Sequence, residues 1–121
     1  MKEDSRPNSH WGVEVRARLA EQVEYIRHWK IHNASYSSLR NRKATWFCDP
    51  PYAAKHGRCY RFNQIDFQHL GAWCRERRGQ VIVCESPGAD WLPFKEAGIV
   101  RSANGHNLKG WSREMLWTQA V

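Results

Sequence analysis

Apolar residues recur at helical spacing early in the chain and gather into short dense runs later. In "VEVRARLAEQVEYIRHWK", Val15, Leu19, Val23 and Ile26 fall on one face and Arg16, Arg18, Glu21 and Glu24 fall elsewhere. That spacing predicts an amphipathic helix starting at Gly12. "HWKIH" alternates bulky side chains and suggests a short strand, and "NASYSSLRNR" reads as a polar turn. The compact run "ATWFC" (44–48) predicts a strand that must stop at Asp49-Pro50-Pro51. Proline lacks a donor N–H and restricts the residue before it. After a polar loop through Gly57, Asp66 is placed to cap a helix over "FQHLGAWCRERR", with Phe67, Leu70 and Cys74 on one side and Gly79 ending it. "QVIVCE" (80–85) is continuously apolar, as expected of a strand covered on both faces, and breaks at "SPG". "WLPFKEAGIVRSA" and "REMLWTQAV" supply two more strands, with "NGHNLKGWS" between them.

Strand, loop, helix and strand in the middle of the chain form a βαβ unit. The expected architecture is α/β, with a mostly parallel sheet and an antiparallel C-terminal edge. Residues 1–11 read as a flexible arm and residues 12–121 as one domain. In such folds ligands bind in the crevice beyond the carboxyl ends of the strands, where the Asp-Pro-Pro-Tyr loop falls.

Nineteen Lys and Arg against 12 Asp and Glu give a net charge of +7, which favours a polyanionic partner. No apolar run reaches membrane-spanning length and the polar "MKEDSRPNSH" has no leader-like core, so a cytoplasmic protein without a membrane partner is expected. Cys48, Cys59, Cys74 and Cys84 show no zinc-site spacing, and Cys48, Cys74 and Cys84 read as small buried hydrophobes. The six histidines form no HxH or HExxH pattern, so no metal site is expected. Trp46 and Trp73 read as packing residues, whereas Trp11, Trp91 and Trp111 lie nearer loops and suit interface anchors.

Chemistry concentrates in "DPPY". Asp49 brings a carboxylate acceptor, Pro50 and Pro51 stiffen the loop without offering donors, and Tyr52 adds a flat ring. Acceptors beside a ring suit a planar heterocycle with an exocyclic amine, and a nucleobase meets that description. Lys55, Arg58 and Arg61 follow at once. The competing reading is that the tetrapeptide is simply a turn.

From about Ile26 to the C-terminus the chain resembles the adenine-specific, S-adenosylmethionine-dependent DNA methyltransferases of the bacterial and phage type related to Dam. The resemblance is carried by "HWKIHNASY", "ATWFCDPPY", Gly57 and Tyr60, the helix from Asp66, "GQVIVCE", "WLPF" and "REMLWT". It implies a partial Rossmann-like methyltransferase fold and transfer of a methyl group to the N6 amine of a flipped-out adenine in DNA. Asp49 and the Pro50 carbonyl would hold the amine, Pro51 would stiffen the clamp, and Tyr52 would stack on the base. Lys55, Arg58, Arg61 and Tyr60 would touch the DNA backbone. Ser35, where the family often has Asp, and Asp49 would border the cofactor. Such a transfer needs no metal.

Two family features have no counterpart here: the FxGxG loop that cradles the cofactor, and the acid that holds its ribose. A truncated product, one piece of a split enzyme and a degenerate relative all account for this. The first two imply a partner chain or N-terminal segment carrying the Gly-rich loop. The alternative is a non-catalytic nucleic-acid-binding remnant or subunit.

Overall fold

The computed structural model describes residues 12–53, 57, 59–101 and 111–120, so the expected arm at 1–11 lies outside it. The chain divides into two compact units, Met1–Ser35 and Tyr36–Val121.

The first unit contains helix α1, Val13–Ile26. Gly12 precedes it in extended conformation and its carbonyl accepts from the Arg16 N–H at 3.1 Å, closing the first turn. The apolar stripe of Val15, Leu19, Val23 and Ile26 is as the spacing predicts, yet no α1 residue is buried. "HWKIH" is not a strand. It leaves α1 through a turn, the Trp29 N–H donating to the Ile26 carbonyl at 2.9 Å, and runs on as irregular chain with Trp29 and Ile31 exposed and no strand beside it among the described residues.

The second unit is an α/β domain on a four-stranded mixed sheet. Its elements are a 3-10 turn (Tyr36–Ser38), β1 (Trp46–Cys48), α2 (Phe67–Arg75), β2 (Val81–Glu85), β3 (Lys95–Arg101) and β4 (Trp111–Gln119). The strand order is β1-β2-β4-β3. β1 and β2 pair in parallel, Trp46 opposite Val81, whereas β2–β4 and β3–β4 are antiparallel. The expectation of a mostly parallel sheet is therefore corrected. β4 returns between β2 and β3, so the antiparallel region extends inward from the edge to β2.

Asp66 caps α2 as predicted, its Oδ1 accepting from the His69 N–H at 2.9 Å. The helix ends at Arg75, before Gly79. Gly79 instead turns the chain into β2 with φ +104°, and a Cβ there would fall 2.2 Å from the Ala44 carbonyl oxygen. The core joins α2 to one face of the sheet through Leu70, Trp73, Cys74, Val81, Val83, Trp91 and Leu92. β2 alternates: Val81, Val83 and Glu85 are buried, Ile82 and Cys84 only partly. Expecting cover on both faces was wrong for this strand, since the helix of this unit packs on one side. Cys48 is likewise only half-buried, while Cys74 is buried as expected. Trp91 is also corrected, from loop anchor to core residue at 6% exposure.

Candidate functional site

β1 is an edge strand among the described residues, and it delivers Asp49, Pro50 and Pro51 to the carboxyl end of the parallel β1–β2 pair. Its start is fixed by Trp46. The indole Nε1 donates to the Arg42 and Arg78 carbonyls at 3.3 and 3.0 Å, and the ring packs edge-on against Trp73.

A cavity of about 290 Å³ opens beside the end of β1. Asp49, Pro50 and Pro51 form part of its wall, and Tyr36, Leu39, Ile65 and Trp73 are among the apolar residues facing them. Tyr36 is held in place twice, by an edge-on contact with Trp73 and by a 2.7 Å hydrogen bond between its hydroxyl and His69 Nδ1. Burial, then the nearby Asp66 and Cys74, keep its phenol above the ordinary value of 10.0, so it stays protonated. The cavity thus offers one carboxylate on a mostly apolar, aromatic wall, and its volume lies just below the range of about 300–1,000 Å³ usual for small-molecule sites.

The loop is pinned from β2 by a residue that sequence reasoning missed. Glu85 is 0% exposed, and its Oε2 accepts from the Ala53 N–H at 3.1 Å and the Trp91 indole at 2.9 Å. Its Oε1 accepts from the Ser86 N–H at 2.8 Å and the Ser86 hydroxyl at 3.2 Å. A buried carboxylate with four donors is well satisfied, and here it fixes the chain immediately after Tyr52. A carboxylate closing an apolar run was the available signal, although at a strand end it reads as a surface residue. Gly57 supports the loop from the other side. A Cβ there would lie 1.8 Å from the Tyr52 carbonyl oxygen, so the close approach of the two segments requires glycine at 57.

Tyr52 is half-buried and is not among the residues lining the cavity. Burial, followed by the charges of Asp49, Glu114 and Cys84 and a hydrogen bond to Asp49, raises its phenol well above 10.0. The same surroundings raise the Cys84 thiol, burial first and then Asp49 and Glu114. Glu114 of β4 is thus a second carboxylate near the clamp, and the strand-like periodicity of "REMLWT" gave no hint of it. Behind Asp49, the Cys74 thiol donates to the Cys48 sulfur, lowering the pKa of Cys48 and raising that of Cys74.

Tyr60 and Arg61 are exposed, and the Arg61 guanidinium lies 5.5 Å from the ring centre of Phe62, itself exposed. Lys55 and Arg58 lie outside the described residues. Ser35 closes the first unit, whereas Asp49, Pro50, Pro51 and Tyr52 belong to the second, so the described clamp is built from the second unit alone. The cavity wall contains one carboxylate, no glycine and no cation, which does not fit a complete S-adenosylmethionine site. Among the described residues no three His, Cys, Asp or Glu side chains group to hold a metal. Among them, too, no helix is long and apolar enough to cross a membrane.

Comparison with protein-family models, with curated proteins and with solved structures finds no match to this chain.

Proposed function

We propose that this chain supplies the amine-holding half of an N6-adenine DNA methyltransferase, acting on a base swung out of the duplex. Transfer would come from S-adenosylmethionine held mainly by polypeptide outside the described residues. The reading rests on one observation: Asp49, Pro50 and Pro51 wall a cavity at the carboxyl end of a parallel strand pair, on a loop tethered by buried Glu85. Asp49 and the Pro50 carbonyl can accept both hydrogens of an exocyclic amine and leave the nitrogen lone pair directed outward. Orientation by preorganised acceptors is the catalytic contribution such a clamp can make. The open edge of β1 beside the cavity supports the second half of the proposal, because a further strand there would complete a crevice at the strand ends.

The clamp is tested with a duplex carrying 2-aminopurine as a reporter immediately beside a mismatched adenine. The chain should raise the reporter's fluorescence by withdrawing the adenine stacked on it, and Asp49→Ala should lower the bound fraction about tenfold or more. An Asp49→Ala response equal to that of the wild type would overturn the clamp. Labelled methyl transfer to adenine should then appear when the chain is co-expressed with its genomic neighbours and disappear with Asp49→Ala. A non-catalytic nucleic-acid-binding role is favoured by the incomplete cofactor wall. That role predicts duplex binding with no heat of S-adenosylmethionine binding in calorimetry, with or without DNA.

A further inference from the structure

We infer that the amino ends of β1 and β2 form a second nucleic-acid surface, which binds the phosphate backbone and stands apart from the Asp49 clamp. Two short loops meet there, residues 40–44 before β1 and residues 75–80 before β2. Asn41 splices them, its Nδ2 donating to the Glu76 carbonyl at 2.8 Å and its Oδ1 accepting from the Arg78 N–H at 2.9 Å. The Ala44 N–H donates to the Arg78 carbonyl at 3.1 Å, and the Trp46 indole bridges the Arg42 and Arg78 carbonyls. From β4, Gln119 Nε2 reaches the carbonyls of Arg75 and Arg77 at 3.4 Å.

This framework carries Arg40, Arg42, Lys43, Arg75 and Arg78, all exposed. None of the five forms an ion pair among the described residues. Glu76 is the one acid in these two loops, and its nearest cation is the neighbouring Arg77 at 3.8 Å. Arg77 turns inward, buried, with its guanidinium 4.1 Å from the Trp73 ring centre. One cation at the end of a nine-residue helix is accounted for by the helix dipole. The other four, on the two spliced loops, are not, because like charges held together oppose folding until an anion neutralises them.

Four of the five are arginines, which hold phosphate oxygens in pairs. The open groove between the loops, about 470 Å³, is lined by Lys43, Ala44, Thr45, Gly79, Gln80 and Ala120 and presents no large apolar side chain. A membrane-adhering surface would carry such side chains for insertion. A phosphate backbone needs only charge and donors. The surface is separated from Asp49 by the three residues of β1, roughly 10 Å at about 3.3 Å per residue.

The test uses an unmismatched duplex built only of G·C pairs, which contains no adenine and presents no base already loosened from the stack. Fluorescence anisotropy of the full chain should show salt-dependent binding. The Arg40→Ala/Arg42→Ala/Arg78→Ala variant should bind at least tenfold more weakly at about 0.1 M salt. Its log–log salt slope should be shallower by about 2–3, because each phosphate no longer neutralised removes about 0.9 from the slope. The matching triple Lys variant should retain most of the binding, and circular dichroism should show both variants folded. The readout needs no base release, so failure of the adenine reading leaves this result intact, and Lys95→Ala on the far edge strand β3 should bind this duplex as the wild type does. Unchanged affinity in the folded triple Ala variant overturns the inference. So does equal or tighter binding to phosphatidylserine vesicles or to polyglutamate.

Discussion

The two faces of the sheet in the second unit differ more than its two ends do. On one, Val81, Val83 and Glu85 are each 0% exposed beneath α2 and Trp91. On the other, Ile82 and Cys84 are partly open and neighbouring Phe47 is 66% exposed. Both faces are apolar in sequence, so composition does not separate them. What separates them is the partner: only the α2 face has side chains that interlock with the strands, and the hydrophobic contribution to stability depends on area removed from water. Cohesion of the unit therefore resides on the α2 face, and the same face positions the clamp. On the open face Cys84 neighbours Tyr52, whereas exposed Phe47 should tolerate substitution with little consequence for either.

Trp73 is the severest test of that assignment. It is 8% exposed, packs edge-on with Tyr36 and Trp46, and carries the buried Arg77 guanidinium on its ring. Trp73→Ala should cost about 3–5 kcal/mol, the usual range for a large aromatic removed from a core. The upper end is expected, because Arg77 loses the surface on which its charge rests. Urea denaturation followed by circular dichroism measures it, and a loss under about 1 kcal/mol would mean that cohesion lies elsewhere.

Glu85→Gln comes next. The variant keeps the volume but points an amide NH₂ at donors, so one of the Ala53, Trp91 or Ser86 groups loses its acceptor. Leaving a buried donor unsatisfied costs about 1–3 kcal/mol. Because Ala53 follows Tyr52 directly, base release in the 2-aminopurine assay should fall by more than the loss of folded protein explains. A purely structural Glu85 would lower both in proportion.

Alkaline pH probes both faces together. Tyr36 and Cys74 on the α2 side, and Tyr52 and Cys84 at the clamp, are held above their ordinary values of 10.0 and 9.0, chiefly by burial in all but Cys74, where the bond to Cys48 leads. Groups that bind protons more tightly folded than unfolded lend stability that is fully present below the unfolded pKa and lost as pH rises toward the folded one. Stability should therefore hold through neutrality and decline above about pH 9. Cys48, whose pKa is lowered, opposes this through its bond with Cys74. Tyr52→Phe should flatten the decline above about pH 10. Thermal melts from neutral to strongly alkaline pH give the comparison, and an unchanged slope would remove Tyr52 from the account.

How much of this was legible in the sequence follows from where each residue's signal resides. α2 was legible because Asp66 announces its own cap, and β3 and β4 because two dense runs flank a Gly- and Asn-containing stretch. The sheet's direction was not, since nothing local tells β4 to return between β2 and β3. The Asp49–Tyr52 loop was legible because prolines end strands for a local reason. The side chains that hold it were not. Glu85 takes its meaning from Ala53 and Trp91, 32 and 6 residues away, and Trp91 reads as a loop residue until its indole finds that carboxylate. The five-cation surface is split by the 31 residues of chain between Lys43 and Arg75, and neither half alone carries a local signal of the other.

The smallest expected effect sharpens the comparison most, because it asks whether the open face contributes at all. Phe47 lies in the middle of β1, between Trp46 and Cys48, which point to the core, and pairs with Ile82 of β2. An aromatic at the centre of a strand ordinarily stabilises by burying area, but at 66% exposure most of that ring stays in water. Phe47→Ser should change stability by no more than about 0.5 kcal/mol, as for surface positions away from special features. The 2-aminopurine response should also be retained, since the substitution leaves the backbone that delivers Asp49 unchanged. If Phe47→Ser instead costs as much as Glu85→Gln, the exposed face is covered in solution by something the second unit does not itself provide. A concentration-dependent melting temperature would then identify the cover as a second copy of the chain.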